Sequence, residues 1–257
     1  MQQIVSKENS RIKFLKKLYR KKAFRDEQKM TILEGYHLFE SCRKSAVEIV
    51  EIFCSKFSFD MHINDIDQKL HKKIFVLEEP FFNSISEMKS PNCFLTTIKT
   101  SPTIFNFNKL ENGLYFYLDG IQDPGNMGSI LRTSQAAGNK GIFLSPNCAD
   151  PWSPKTLRGS QGCQFDIPIV ENISDDKILN MDLNIFLSDA NGQNILNFQF
   201  PKKTLIIFGA EGKGFSEAFK DNRLKSIAIP MDETVESLNV ANASSIISYL
   251  FLNQFKA

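Results

Sequence analysis

Arg132 stands in the stretch "DGIQDPGNMGSILRTSQAAG", residues 119 to 138, where turn-forming residues run on into a helical pattern. A guanidinium beside such a loop handles an anion, either a phosphate or a developing alkoxide. Asn126 lies in the same loop and is read as facing the same cleft. Two further stretches share this plan of an apolar run followed by a polar, mostly glycine-bearing loop. In "IIFGAEGKGFS", Gly209, Gly212 and Gly214 flank Glu211, a candidate partner for Arg132, and Ser216 is placed to cap the next helix. In "IAIPMDETVESLNVANA" a strand-like run ends at Pro230, and Ser237 and Asn239 stand at the mouth of a final helix. An ordinary surface arginine paired with a carboxylate, and two plain helix caps, are the competing readings of Arg132, Ser237 and Asn239. Capping and catalysis do not exclude each other.

Neither glycine loop matches a known phosphate motif. A dinucleotide fingerprint requires G-x-G-x-x-G directly after the first strand, and a Walker loop requires four residues before G-K-[ST]. Here Gly209 and Gly212 enclose two residues, and Lys213 is followed by Gly214. The ligand that fits is nucleoside-bearing without a bound polyphosphate, its base lying against glycine backbone.

The elements that must position these residues are strands buried on both faces. "LYFYL", "GIFLS", "NIFLS", "TLIIF" and "SIAIP" are short continuous apolar runs separated by helical or loop segments, the pattern of a Rossmann-like parallel sheet. In open α/β sheets ligands bind beyond the carboxyl ends of the strands, where all three loops fall. "SLNVANASSIISYLFLNQF" predicts a closing helix whose apolar face includes Ile246, Ile247, Leu250 and Phe251. Upstream, "TILEG", "YHLFESCRKS", "VEIVEIFCS", "KIFVLEE", "FFNSISEM" and "CFLTTIK" alternate strand-like and helical runs, a small α/β sandwich. The expected division is a substrate-binding domain over residues 1–99, a linker over 100–113, and a catalytic domain over 114–257.

The net charge is only +2, yet residues 1–30 carry ten Lys or Arg against three acids, +7, which leaves −5 for the remainder. In "SRIKFLKKLYRKKAFRDEQK" the residues Ile12, Leu15 and Tyr19 recur at helical spacing, so the basic residues line the outside of an N-terminal helix. That is either a phosphate-contacting arm or a solvated helix face. The five cysteines, Cys42, Cys54, Cys93, Cys148 and Cys163, show no C-x-x-C spacing, so a disulfide framework and a zinc site are not expected and a reduced cytosol is. No apolar run approaches the roughly 20 residues that span a bilayer, and no signal-peptide core opens the chain. The expectation is a cytoplasmic protein without membrane or metal partners.

Together "LDGIQDPGNMGSILRTSQAAG", "IIFGAEGKGFS" and "IPMDETVESLNVANAS" resemble the three motifs of the SpoU (TrmH) family of RNA ribose 2′-O-methyltransferases, in the SPOUT superfamily. "SPKTLRGSQGCQFDIPI" is similar to a further family segment, with Lys155, Arg158, Ser160 and Gly162 at matching positions, and residues 1–99 look like the N-terminal domain of ribosomal-RNA members. The resemblance implies a C-terminal trefoil knot, a homodimer formed through the C-terminal domain, and S-adenosyl-L-methionine as cofactor. It implies a cofactor site of Gly209, Glu211, Gly212, Ile229, Met231 and Leu238, and a catalytic set of Asn126, Arg132, Glu211, Ser237 and Asn239. Ala241 and Asn242 depart from the usual continuation after S-L-N-V, which bears on the dimer rather than on the site.

The implied reaction is methyl transfer to a ribose 2′-hydroxyl of structured RNA, ribosomal RNA being favoured by the N-terminal domain. A transfer-RNA methyltransferase, a non-catalytic ribosome-assembly protein and a nucleotide-dependent oxidoreductase are the alternatives. The family's arginine is usually given the role of base, yet a guanidinium stays protonated in proteins. Arg132 is therefore expected to bind phosphate and stabilise charge on the 2′-oxygen.

Overall fold

The computed structural model describes residues 2–4, 6, 8–86, 94–100, 105–220 and 224–256. Cys93, residues 87–88 of "FFNSISEM" and residues 101–104 of the expected linker lie outside the described residues. Each apolar run singled out above becomes a strand. In the first of two units, residues 1–101 and 152–165, the strands are β1 (Gln2–Ile4), β2 (Met30–Glu34), β3 (Ile49–Cys54), β4 (Ile74–Leu77) and β5 (Phe94–Lys99). They form a mixed sheet in the order β1-β4-β3-β5-β2, with β5 antiparallel to both neighbours and the other pairs parallel.

α1 (Ser10–Arg20) begins at Asn9, whose side chain accepts the Arg11 N–H at 2.9 Å, and it buries Ile12, Leu15, Leu18 and Tyr19. The basic stretch is not one continuous helix. It breaks at Lys21, which is extended, and α2 (Lys22–Gln28) turns back so that the buried Arg25 donates to the Leu18 and Tyr19 carbonyls at 2.9 and 3.2 Å. Those are carbonyls a helix end leaves open, and a cation there also suits the helix dipole. With α5 (Glu79–Ile85), α1 covers one sheet face over Ile32, Phe53, Phe75 and Leu95. α3 (Tyr36–Lys44) and the short α4 (Lys56–His62) belong to the other face, over Leu33, Ile52, Val76 and Phe94.

The second unit, residues 102–151 and 166–257, is built around β6 (Gly113–Leu118). α6 (Pro124–Ala137) follows it, then β7 (Gly141–Leu144). The chain next supplies α7 (Pro154–Ser160) to the first unit, where Leu157 is fully buried among the residues around Leu33 and Phe39 and Thr31 donates to the Trp152 carbonyl at 2.6 Å. It returns as β8 (Ile169–Val170), α8 (Asp175–Leu179), β9 (Asn184–Asn194), β10 (Lys203–Phe208), β11 (Lys225–Ala228) and α9 (Val240–Lys256).

All six strands of this unit are parallel, in the order β11-β9-β10-β6-β7-β8. Alternation along β6 explains the two cores. Leu114, Phe116 and Leu118 point to a cluster holding Met127, Ile130, Leu131, Ile247 and Phe251 from α6 and α9, while Tyr115 and Tyr117 point the other way with Ile178 and Phe219. β8 and β1 were not expected, being two and three residues long. β9 runs on past "NIFLS", and its pairing with β11 jumps from Leu187 to Gln193. Gly192 makes that return passable, because a Cβ there would lie 2.5 Å from the Ser226 carbonyl carbon.

Candidate active site

The strand order reverses direction at the neighbours β6 and β10, since β7 and β8 lie beyond one and β9 and β11 beyond the other. The crevice of an open parallel sheet forms at such a point. Register brings the two loops level, with Leu118 opposite Phe208 and the Asp119 N–H bonded to the Phe208 carbonyl at 2.9 Å. The second loop is a tight turn closed by Ala210 and Gly214, which exchange backbone hydrogen bonds of 2.9 Å. Gly209 is required there, because a Cβ would stand 2.7 Å from the Gly214 carbonyl carbon.

Three of the expected catalytic residues meet in one joint. Asn126 donates to Glu211 at 2.8 Å, and Asn239 donates to the Asn126 side-chain oxygen at 3.0 Å and more weakly to Glu211 at 3.4 Å. Each motif thus contributes one member. Asn126 is presented at the start of α6, where Asp123 caps the helix by accepting the Asn126 N–H at 2.8 Å. Asn239 both caps and connects, since its Oδ1 accepts the Ala241 N–H at 2.9 Å while its amide nitrogen reaches the joint.

Arg132 does not join them. It is exposed and has no hydrogen bond or ion pair among the described residues, and Glu211, its expected partner, is taken by the two asparagines. Six residues along a helix place Arg132 about 9 Å beyond Asn126 and about 120° round the axis. Gly128 and Ser129, one turn before it, offer no charged side chain to pair with. Ser237 is exposed and, contrary to a capping role, makes no bond to α9; it lines a cleft instead.

That cleft, of about 580 Å³, runs from Ser188–Asn191 past Gly209–Phe215 to Glu236–Leu238. A smaller hollow shares Ser188, Asp189, Ser237 and Leu238 with it and adds Ile229 and Met231. Between them the two are lined by every expected cofactor residue: Gly209, Glu211, Gly212, Ile229, Met231 and Leu238. Asp189, Glu211 and Glu236 face a single lysine, Lys213, in the larger cleft. Such a lining suits a cationic ligand with an apolar body and disfavours a polyphosphate. Ser188 and Asp189 were missed by the sequence reading, although "SDANG" follows a strand-like run as the three chosen loops do.

A second network, also unforeseen, holds the glycine loop from behind. The Ser216 N–H donates to Asp119 at 2.7 Å, and its hydroxyl, rather than capping a helix, donates to Asp175 at 2.7 Å. The Tyr117 hydroxyl donates to the other Asp175 oxygen at 2.6 Å. Burial pushes the Asp119 carboxyl above its ordinary value of 3.8, the Ser216 N–H opposing this and Asp175 adding to it. A raised folded pKa means that the folded state holds the proton more tightly than the unfolded chain. The resulting stabilisation is complete below the unfolded value and is lost as pH rises through the folded one. Asp119→Asn, which keeps an acceptor for Ser216, is expected to flatten the pH dependence of the urea midpoint in the range above the ordinary carboxyl value. An unchanged slope would assign that dependence to another group.

Among the described residues no group of three or more His, Cys, Asp or Glu side chains is arranged to hold a metal, and no helix is long and apolar enough to cross a membrane. Cys42, Cys54, Cys148 and Cys163 are free thiols.

The crevice, the joint and the acid-lined cleft are those of a nucleoside-dependent enzyme on a parallel sheet. The chain belongs to the SpoU rRNA methylase family, whose model matches residues 113–249, and an MRM3-like substrate-binding domain matches residues 9–96. Over 254 residues, 97% of this chain and 98% of the relative, it is 30% identical to the 23S rRNA (guanosine(2553)-2′-O)-methyltransferase RlmP of Bacillus subtilis. It is also 30% identical over 154 residues, 56% of this chain and 54% of the relative, to the 23S rRNA (uridine(2479)-2′-O)-methyltransferase of Streptomyces viridochromogenes. The fold matches the AdoMet-bound rRNA methyltransferase of Sinorhizobium meliloti with a TM-score of 0.84 at 21% identity, covering 99% of this chain and 98% of that one.

Proposed function

We propose that this protein transfers the methyl group of S-adenosyl-L-methionine to a ribose 2′-hydroxyl of ribosomal RNA. The observation that carries this reading is the joint of Asn126, Glu211 and Asn239, one residue from each motif, beside an acid-lined cleft. Ile229, Met231 and Leu238 supply apolar surface for an adenine, and the backbone of the Gly209–Gly214 turn supplies the groups that read its edge. The cofactor provides an electrophilic methyl on a sulfonium, a cation that Asp189, Glu211 and Glu236 suit. The protein's own work is to hold the RNA. Asn126 is fixed by two partners, Arg132 is left unpaired to meet a phosphate and the charge growing on the 2′-oxygen, and Ser237 bridges cofactor cleft and RNA.

The basic face of α1 serves as the RNA arm, with Lys13, Lys16, Lys17 and Arg20 outside its buried stripe. The protein works in the cytoplasm as a homodimer, for which Ile246, Tyr249 and Phe255 of α9, 37%, 53% and 42% exposed, offer an apolar surface. Asn242, exposed on the same helix, lies outside the catalytic joint. The C-terminal segment is threaded as a trefoil knot, as the family resemblance implies.

Calorimetric titration with S-adenosylmethionine, followed by transfer of labelled methyl to ribosomal RNA from cells lacking the protein, tests the reading. Cofactor binding and acid-stable label in ribose are expected. Absence of binding, or label confined to transfer RNA, overturns it.

A further inference from the structure

A second cleft opens beside the cofactor cleft and shares Ala210, Glu211 and Lys213 with it. Its volume is about 350 Å³, and its other wall is the loop from Gly120 to Asp123 together with Asn126. The two clefts therefore lie on either side of the Ala210–Lys213 turn, and the Asn126–Glu211 bond stands at their common edge. A room of this size takes a single nucleoside and excludes a duplex.

Three polar side chains besides the joint line this cleft, and their states differ. Asp123 is committed, since it caps α6 through the Asn126 N–H. Gln122 is exposed and its amide has no hydrogen bond among the described residues. Lys213, on the facing wall, is likewise exposed and without an ion pair among the described residues, the neighbouring Glu211 being held by Asn126 and Asn239. A primary amide offers a donor and an acceptor in one plane, the pattern that pairs with a base edge. An ammonium on a flexible stem is a point charge suited to a phosphate.

We infer that this second cleft receives the target nucleotide in unpaired form, with Gln122 bonded to the edge of its base and Lys213 set against its phosphate. The inference rests on the methyltransferase reading above and deepens it. It makes the wall following β6 the place where one nucleotide is told from another. An unpaired nucleotide is also what such a cleft can admit, because sequence-specific RNA recognition works on bases freed from the helix.

Gln122→Ala and Lys213→Ala separate the two roles. For each variant and the wild type, S-adenosylmethionine affinity is measured by calorimetry. Labelled methyl transfer to ribosomal RNA from cells lacking the protein is then followed against RNA concentration at several potassium chloride concentrations. Both variants are expected to keep the melting temperature, and Gln122→Ala, which lies outside the cofactor cleft, is expected to keep the cofactor affinity as well. Gln122→Ala should need about tenfold more RNA for half-maximal rate, the scale of one bidentate base contact, with its salt dependence unchanged. Lys213→Ala should lower the slope of log affinity against log salt by about one. Unaltered RNA dependence in both variants, or cofactor binding weakened by Gln122→Ala, overturns the inference while the methyltransferase reading stands. A wild-type protein that labels no RNA removes both.

Discussion

Arg132→Ala is expected to lower the methyl-transfer rate by about 10²–10³-fold, the scale of losing one donor to a developing oxyanion. S-adenosylmethionine affinity and melting temperature should stay as in the wild type. The expectation comes from the surroundings of the side chain. Arg132 is exposed, unpaired among the described residues, and absent from the lining of both clefts, so its removal disturbs no internal bond and no cofactor contact. Arg132→Lys then distinguishes charge stabilisation from proton abstraction. A lysine is a usable base once deprotonated, so a base role predicts a rate that climbs as pH approaches about 10. The expected result is a loss of similar size at every pH, because an ammonium replaces the charge without the planar fork of donors. A lysine variant as fast as the wild type at pH 7 would remove the special role of the guanidinium.

The largest stability effect is expected at Glu34. Its carboxylate, on a side chain only 4% exposed, accepts from the Tyr19 hydroxyl at 2.9 Å and is ion-paired with Arg158, with Ser86 donating to its other oxygen. Arg158 is itself 25% exposed and donates to Tyr19 at 3.0 Å. Glu34→Ala removes an acceptor shared by a guanidinium, a phenol and a hydroxyl and leaves the guanidinium charge uncompensated, which costs about 3 kcal/mol, the lower end for breaking a buried pair. Urea unfolding followed by circular dichroism reads the loss. Removing both charges with Glu34→Leu and Arg158→Met should recover most of it, since the cost lies in the orphaned partner rather than in the absent pair. If the single variant unfolds at the wild-type midpoint, the cluster contributes nothing to stability.

Much of this architecture is legible in the sequence. "LYFYL" and "TLIIF" read as strands covered on both faces, and they are the two central strands whose ends carry the site. Asn126, Glu211 and Asn239, each in a loop that follows a different apolar run, are hydrogen-bonded to one another. The pairing among them is not legible in the sequence, because charge alone points Glu211 to Arg132, and it is helical geometry that sends Arg132 to another side of α6. Lys21 shows the same limit. It is a good helix former in a helical context, and the break there depends on Arg25 reaching back to open carbonyls, a tertiary choice. β1 and β8 are too short to carry a period. Asp119, Ser216 and Asp175 are polar residues far apart in the chain, and nothing local marks them as one network.

α7 and its flanks follow the first strands of the second unit in sequence yet belong to the first unit. An apolar residue looks the same whichever core it fills, so Leu157 gave no hint that it completes the cluster of Leu33, Leu38 and Phe39, with Trp152 and Phe165 packed beside it. That placement has a consequence for how the protein is made. The first unit lacks part of its interior until residue 165 has been synthesised, long after its own strands have left the ribosome. A nascent chain halted near residue 100 therefore presents an unfinished core to chaperones, and the last wall of the N-terminal unit arrives only after β6, α6 and β7 have been translated.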